Sequence, residues 1–313
     1  MMAADTGNPR EAYGMALVEL GRRRPDVVAL EADLGNSTRS VLFAKEFPDR
    51  FFQMGIAEQN MASTAAGLAL AGKTPFIHSF AVFAAGRAFD QLRSSICIPA
   101  LRVRICGSSA GLSDFGDGKT HQSVEDLATM RSLPNMTVLA PADAIETVLM
   151  MEAIVAIDGP VYLRINRNDL PAVTPPREPW TLGKVWELRK GRDVAVFANG
   201  ALVARALDAA ERLALEGIDV KVLNISTVKP LDRDAVIAHA RGMKGIVTAE
   251  EGTAIGGVGA SVLEALRREK HAPVEILGIP DRFGTSARSY AELLEAYGLT
   301  GERIENAVRS VIG

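Results

Sequence analysis

Two α/β domains, each a mostly parallel sheet with helices on both faces, are what this 313-residue chain predicts. Short apolar strands alternate with amphipathic helices from residue 9 to 168, as in chains of strand–helix–strand units. The same alternation restarts at Asp193 and runs to Ile279. Between the two series, residues 170–180 hold four prolines and read as a linker. The length suits two domains. The expected division is residues 1–172, a proline-rich linker over 173–189, and residues 190–313.

Composition narrows the function. With 48% hydrophobic and 23% charged residues, the chain has an ordinary globular core. A net charge of −3, with both signs interspersed, argues against nucleic acid or an anionic membrane as the main partner. No apolar run reaches the roughly 18 residues of a membrane span. The N-terminal residues show no basic-then-apolar signal layout. Cys97 and Cys106 are too few and too poorly spaced for a metal knuckle or a disulfide framework, so no metal site and a reducing cytoplasm are expected.

Residues 9–20 predict a helix. Tyr13, Leu17 and Leu20 share one apolar face, Pro9 suits the first turn and Gly21 closes it. Residues 26–33 form an apolar strand ending in acids. Ligands gather at the carboxyl ends of strands in open parallel sheets, so Asp33 and the turn Gly35-Asn36-Ser37 are site candidates. Residues 50–53 give another short strand. Next comes Gly55-Ile56-Ala57-Glu58-Gln59-Asn60, then a helix over 61–70 of small, uncharged side chains, which let a second backbone approach closely. Glu58 is a lone acid at the head of that helix. It reads either as a charge favoured by the helix dipole or as a functional carboxyl, and the local residues leave both open.

Residues 101–106 predict a strand. The loop over 107–120, with four glycines and two aspartates, leads to His121; long loops in compact domains are often functional. Ser123 then begins a helix as its N-cap. Strands over 136–141 and 159–165 flank a helix over 143–157. In the second half, strands are expected over 193–198, 220–224, 245–249 and 274–279. Helices are expected over 201–216, 232–240 and, after a glycine-rich turn, up to 268. Gly256-Gly257-Val258-Gly259 lacks dinucleotide-loop spacing, and close helix–sheet packing is the expected reason for it.

An ordered series of motifs resembles the thiamine-diphosphate enzyme transketolase over the whole chain. It comprises Glu31-Ala32-Asp33-Leu34, Gly55-Ile56-Ala57-Glu58-Gln59-Asn60-Met61, Ser79-Phe80 with Phe83, Asp117-Gly118-Lys119-Thr120-His121-Gln122, and Arg167. Val228-Lys229-Pro230-Leu231-Asp232 and Gly278-Ile279-Pro280-Asp281-Arg282-Phe283-Gly284 look like the family's C-terminal domain. The resemblance implies a pyrimidine-binding domain followed by that C-terminal domain. The family's diphosphate-holding domain, marked by G-D-G and a later Asn, has no counterpart. Gly116-Asp117-Gly118 sits too near Asn135 and inside the sugar motif, so it is a decoy. The implied protein is the C-terminal subunit of a split transketolase. Its N-terminal partner would hold Mg²⁺ and the diphosphate, within a two-fold heterotetramer.

Roles follow from the resemblance. Glu58 would hydrogen-bond the cofactor's pyrimidine, and this works best for a protonated carboxyl in an apolar niche. Phe80 and Phe83 would stack on the pyrimidine, unless they are only core. Asp33 is matched, as a cofactor-positioning or subunit-contact residue. His121 resembles the histidine that contacts the ketose donor, and Asp117 the carboxylate that recognises a sugar hydroxyl. Arg10, Ser37 and Arg167 match contacts to the phosphate end, where an arginine fork suits the group, or they are ordinary surface and capping residues. Four departures stand out. Ser109 replaces a substrate-contacting histidine, Asp114-Phe115-Gly116 stands where the family has an apolar-Gly-Glu run before Asp117, Gly86 replaces a ring that often completes the pyrimidine pocket, and Lys119 replaces a Pro or Ala. These point to an unusual sugar, with Lys119 taking an anion contact. Alternatives are a deoxyxylulose-phosphate-synthase-like subunit, a 2-oxoacid dehydrogenase β-like subunit, and a non-catalytic regulatory paralogue.

Overall fold

The computed structural model describes residues 6–175 and 179–313, so the middle of the expected linker, 176–178, lies outside it. Eight strands come from the first half: β1 (Thr6–Gly7), β2 (Val27–Glu31), β3 (Phe51–Gln53), β4 (Thr74–Phe80), β5 (Arg104–Ser108), β6 (Thr137–Leu139), β7 (Val161–Arg164) and β8 (Leu170–Pro171). Six follow: β9 (Trp186–Arg189), β10 (Val194–Ala198), β11 (Val220–Asn224), β12 (Thr227–Lys229), β13 (Gly245–Thr253) and β14 (Val274–Ile279).

Among the described residues, seven strands form a sheet in the order β12-β6-β7-β5-β4-β2-β3, parallel except for β12. Five form a second sheet, β14-β13-β10-β11-β9, antiparallel only at β9. Every residue of β2, β4 and β5 is buried, as parallel strands covered by helices on both faces must be. β1 and β8 pair antiparallel beside them. No helix among the described residues is long and apolar enough to cross a membrane.

The two halves interlock. β12, from the second half, is the edge strand of the first sheet. The buried Glu251 carboxyl on β13 accepts from the Leu112 amide at 2.7 Å, Asn166 Nδ2 at 3.1 Å and the Tyr290 hydroxyl at 2.5 Å. Arg164 Nη2 donates to the Glu251 carbonyl at 2.7 Å while its Nε donates to Asp126 at 2.9 Å. This network ties the loop ends of the first sheet to the second.

Several local expectations need correction. The first helix runs over Pro9–Arg23 with Gly21 inside it, where the missing Cβ admits Phe43 and Phe47. The helix after His121 is Asp126–Ser132, preceded by Glu125 without a side-chain cap, and Ser123 is buried with its hydroxyl unpaired. The strand expected over 101–106 starts later, at Arg104, because residues 101–103 are irregular. The glycine-rich turn before helix Val258–Leu266 behaves as expected. Glu250 Oε1 accepts from the Gly259 amide at 2.9 Å, and a Cβ on Gly259 would meet Ile276 at 2.6 Å. A buried carboxylate thus occupies the helix N-terminus where a phosphate would sit in a nucleotide fold.

Candidate active site

The candidate residues lie where the strands of the first sheet end. β2 finishes at Glu31, whose buried carboxyl gathers the next turn. It accepts from the amides of Ala32 at 3.1 Å and Leu34 at 3.0 Å, from Thr38 Oγ1 at 2.8 Å and from the Ser40 hydroxyl. Burial pushes Glu31 above its ordinary value, and these donors oppose that. The turn it fastens carries Asp33 and Ser37. Asp33 is exposed, in left-handed backbone with φ 64°, and its amide donates to Gln53 at 3.0 Å.

β4 delivers Phe80, and the chain then turns through a wide π-helical stretch, Phe83–Arg87. Such turns recur at functional sites. The rings of Phe80 and Phe83 are near-parallel, 13° apart in plane and 6.2 Å between centroids. His121, at the end of the long loop, presents its edge to both, at 6.1 Å and 5.5 Å. Its Nδ1 is 3.0 Å from Thr120 Oγ1. Residues 41 and 38 positions apart therefore form one aromatic corner. His78 is different: it is wholly buried between Tyr13 and the Leu30 carbonyl, and burial lowers it to about 4. It is a core residue.

Glu58 opens helix Glu58–Leu70 and is 1% exposed. Its niche is not apolar, however. Arg87 Nη1 donates to both carboxylate oxygens, at 3.0 Å and 3.1 Å. The same guanidinium lies 4.5 Å above the Phe83 ring centroid. The expectation of a lone acid among small side chains is corrected, because the π-helical turn swings a half-exposed arginine onto it. Neighbouring Gly86 has open space around it.

At the other end, Asn8 caps helix Pro9–Arg23 and sets Arg10 and Glu11 in its first turn. Arg10 Nη1 donates to the Ser37 carbonyl at 3.1 Å, and Arg167 Nη1 to Asp114 at 2.5 Å. Arg10, Ser37 and Arg167 are thus brought together. Asp117 and Lys119 are exposed on a 3₁₀ turn, and neither has an ion pair among the described residues. Ser109 is fully buried with φ 52°, so it faces the core and not a channel. Sequence reasoning missed Arg87 altogether, although its position four residues after Phe83 would place it over that ring on one helical face. Among the described residues no cluster of three or more His, Cys, Asp or Glu could hold a metal ion.

The transketolase pyrimidine-binding domain model matches residues 7–173, and the transketolase C-terminal domain model matches 183–304. The chain belongs to the transketolase family. It is 40% identical over 302 residues to a putative transketolase C-terminal section of Methanocaldococcus jannaschii, covering 96% of this chain and 94% of that one. It is 40% identical over 303 residues to the 6-deoxy-6-sulfo-D-fructose transketolase subunit of Clostridium sp. (strain MSTE9), again covering 96% and 94%. A solved split-gene transketolase, described as an inactive β4 tetramer, superposes with TM-score 0.89 at 46% identity, covering 97% of this chain and 98% of that one.

The transketolase residues present here fit the pyrimidine end of thiamine diphosphate. The Arg87 guanidinium is a flat N–C–N group that donates to Glu58 and rests on the Phe83 face. An aminopyrimidine placed there would meet the same carboxyl and the same ring.

Proposed function

We propose that this chain is the C-terminal subunit of a split, thiamine-diphosphate-dependent transketolase that moves a two-carbon ketol unit from a ketose to an aldose. The observation that carries the reading is the corner made by Glu58, Phe80, Phe83 and His121, already held by a planar cation. Residues 1–172 act as the pyrimidine-binding domain and 190–313 as the C-terminal domain, joined by 173–189.

Thiamine diphosphate, when bound, supplies the nucleophilic carbon that takes up the ketol unit. Glu58, released by Arg87, would hydrogen-bond the pyrimidine. Phe83 gives the ring an apolar face, and Phe80 backs it from the core. Asp33 helps to position the cofactor from the Glu31-fastened turn. His121 sits against both rings, so its free nitrogen is placed to exchange a proton with a substrate hydroxyl beside them. Asp117 accepts from a sugar hydroxyl, and Lys119 contributes positive charge at the channel mouth. Arg10, Ser37 and Arg167 receive the sugar's anionic end. The Clostridium relative's sulfo-sugar substrate supports an unusual sugar here as well.

Mg²⁺ and the diphosphate belong to an N-terminal partner subunit, and two copies of each chain make a heterotetramer. The inactive β4 assembly of the split-gene relative supports a chain that self-associates and does not act alone. Helix Glu58–Leu70 also leaves Gln59, Ser63, Gly67 and Leu70 exposed along one face, beside an exposed Ile56. Ser63 and Gly67 on this face are small enough to let a second copy come close, and Ile56 and Leu70 offer it apolar surface.

The test is turnover of sugar donors with the N-terminal subunit, Mg²⁺ and thiamine diphosphate. The wild-type pair should be active, and Glu58→Gln should lose about 10²-fold or more. Full activity in Glu58→Gln would refute the mechanism. Turnover of pyruvate instead of a ketose would favour a deoxyxylulose-phosphate-synthase-like reaction.

A further inference from the structure

Five charges meet at the sugar end of the site. Arg39 pairs with Glu11 at 2.5 Å and Arg167 with Asp114 at 2.5 Å. Arg10 pairs with no carboxylate among the described residues: one nitrogen serves the Ser37 carbonyl, and its buried Nε has no acceptor. The five are close enough to feel one another. Burial, then Arg39 and Arg167, hold the Arg10 guanidinium below its ordinary value, while Glu11 and Asp114 oppose this. Three cations and two carboxylates leave one net positive charge, centred on Arg10.

Asp114 is the residue that sets this balance. Its side chain is only 4% exposed, against 33% for Arg167. A ligand that drew Arg167 fully to itself would strand a buried carboxylate, which is strongly unfavourable. Arg167 can instead lend its remaining N–H groups to a ligand while keeping Asp114, and the ligand then meets Arg167 with its charge already matched. A sulfonate carries one negative charge at every relevant pH. A phosphate monoester carries about 1.5 to 2 near neutrality, and the second charge at Arg167 would face the Asp114 carboxylate that this arginine already holds.

We propose that Asp114 fits this site to sugars ending in a monoanion, of the sulfonate kind, in preference to dianionic phosphate esters. The inference rests on the transketolase reading and names the substrate class within it. Asp114 is a specificity residue that acts through Arg167, to which its carboxylate is bonded.

The test compares two donors, 6-deoxy-6-sulfofructose and fructose 6-phosphate, each with the same saturating aldose acceptor, in the complex reconstituted with the N-terminal subunit, Mg²⁺ and thiamine diphosphate. For the wild type, KM should be lower for the sulfonate by about tenfold. Asp114→Asn keeps the side chain's shape and removes its charge. It should lower KM for the phosphate by about tenfold while KM for the sulfonate does not fall with it. A wild type that favours the phosphate overturns the inference, and so does an Asp114→Asn variant in which both KM values move together. The wild-type comparison decides even if the variant fails to fold. A complex that turns over neither sugar but accepts another ketose donor overturns this inference alone; one that accepts no ketose donor overturns the transketolase reading, and this inference with it.

Discussion

Two arginine–carboxylate pairs in this molecule look alike on paper and differ in what they can do. Arg164 and Asp126 are 6% and 0% exposed, 2.9 Å apart, and locked by further bonds to Glu251 and Tyr162. Arg87 and Glu58 are 3.0 Å apart, but the arginine is 47% exposed while the carboxylate is 1% exposed. In the first pair neither partner can leave without stranding the other in the core. In the second the arginine can swing into water and surrender a buried acid to another donor. The pair buried on both sides braces the joint that Arg164 makes to the Glu251 carbonyl; the pair open on one side can exchange its arginine.

The sharpest break in that comparison is Arg164→Met. It should destabilise the chain by about 3–5 kcal/mol, because Asp126 is left buried and charged without its cation; a urea midpoint shift measures this. A loss under about 2 kcal/mol would make the two pairs equivalent. Glu146 supplies a third kind of carboxylate, buried with no cation. It accepts from the Ala142 amide at 2.7 Å and Asn224 Nδ2 at 3.0 Å, and burial pushes it up to about 7. Its folded value lies above the unfolded one, so its contribution is complete below about pH 4.5 and declines as pH rises to about 7. Glu146→Gln should remove a pH-dependent loss of up to ~3 kcal/mol across that window. Urea midpoints at pH 4.5 and 8 for both proteins read it, and parallel slopes would contradict it.

The smaller effect on folding belongs to Arg87→Ala, about 1–2 kcal/mol, since the guanidinium is half-exposed and water can follow into its place and reach the buried Glu58 carboxylate. Its effect on the cofactor should have the opposite sign to that of a structural residue. Removing the guanidinium clears Glu58 and the Phe83 face, so thiamine diphosphate should bind the reconstituted complex more tightly, by severalfold. Weaker binding would show that Arg87 holds the cofactor and does not merely keep its place.

Much of this was legible in the sequence. Strand and helix alternation placed the parallel strands, and the motifs singled out Glu58, Phe80, Phe83 and His121, which the fold sets near one another through ring contacts and Arg87. His121 was singled out as the end of a glycine-rich loop, and it does meet Phe80 and Phe83. Three things were not legible, each for a physical reason. Arg87 reaches Glu58 through a π-helical turn, a backbone choice that side-chain periodicity does not announce. Asp114 finds Arg167 across 53 residues, a contact fixed by where two loops fold back and not by either segment. Ser123 has the chemistry of an N-cap, but its segment is held by the Gly111–Ser123 bridge, and the helix begins later, at Asp126.

The central claim is that this chain carries half of an active site, the half that meets the pyrimidine. Calorimetric titration of thiamine diphosphate with Mg²⁺ tests it directly, into the chain alone, into the N-terminal subunit alone and into their mixture. The account predicts tight binding only in the mixture, weakened by at least about tenfold when Glu58→Ala replaces the wild type. Equally tight binding to the N-terminal subunit alone, unchanged by this chain or by Glu58→Ala, would contradict it.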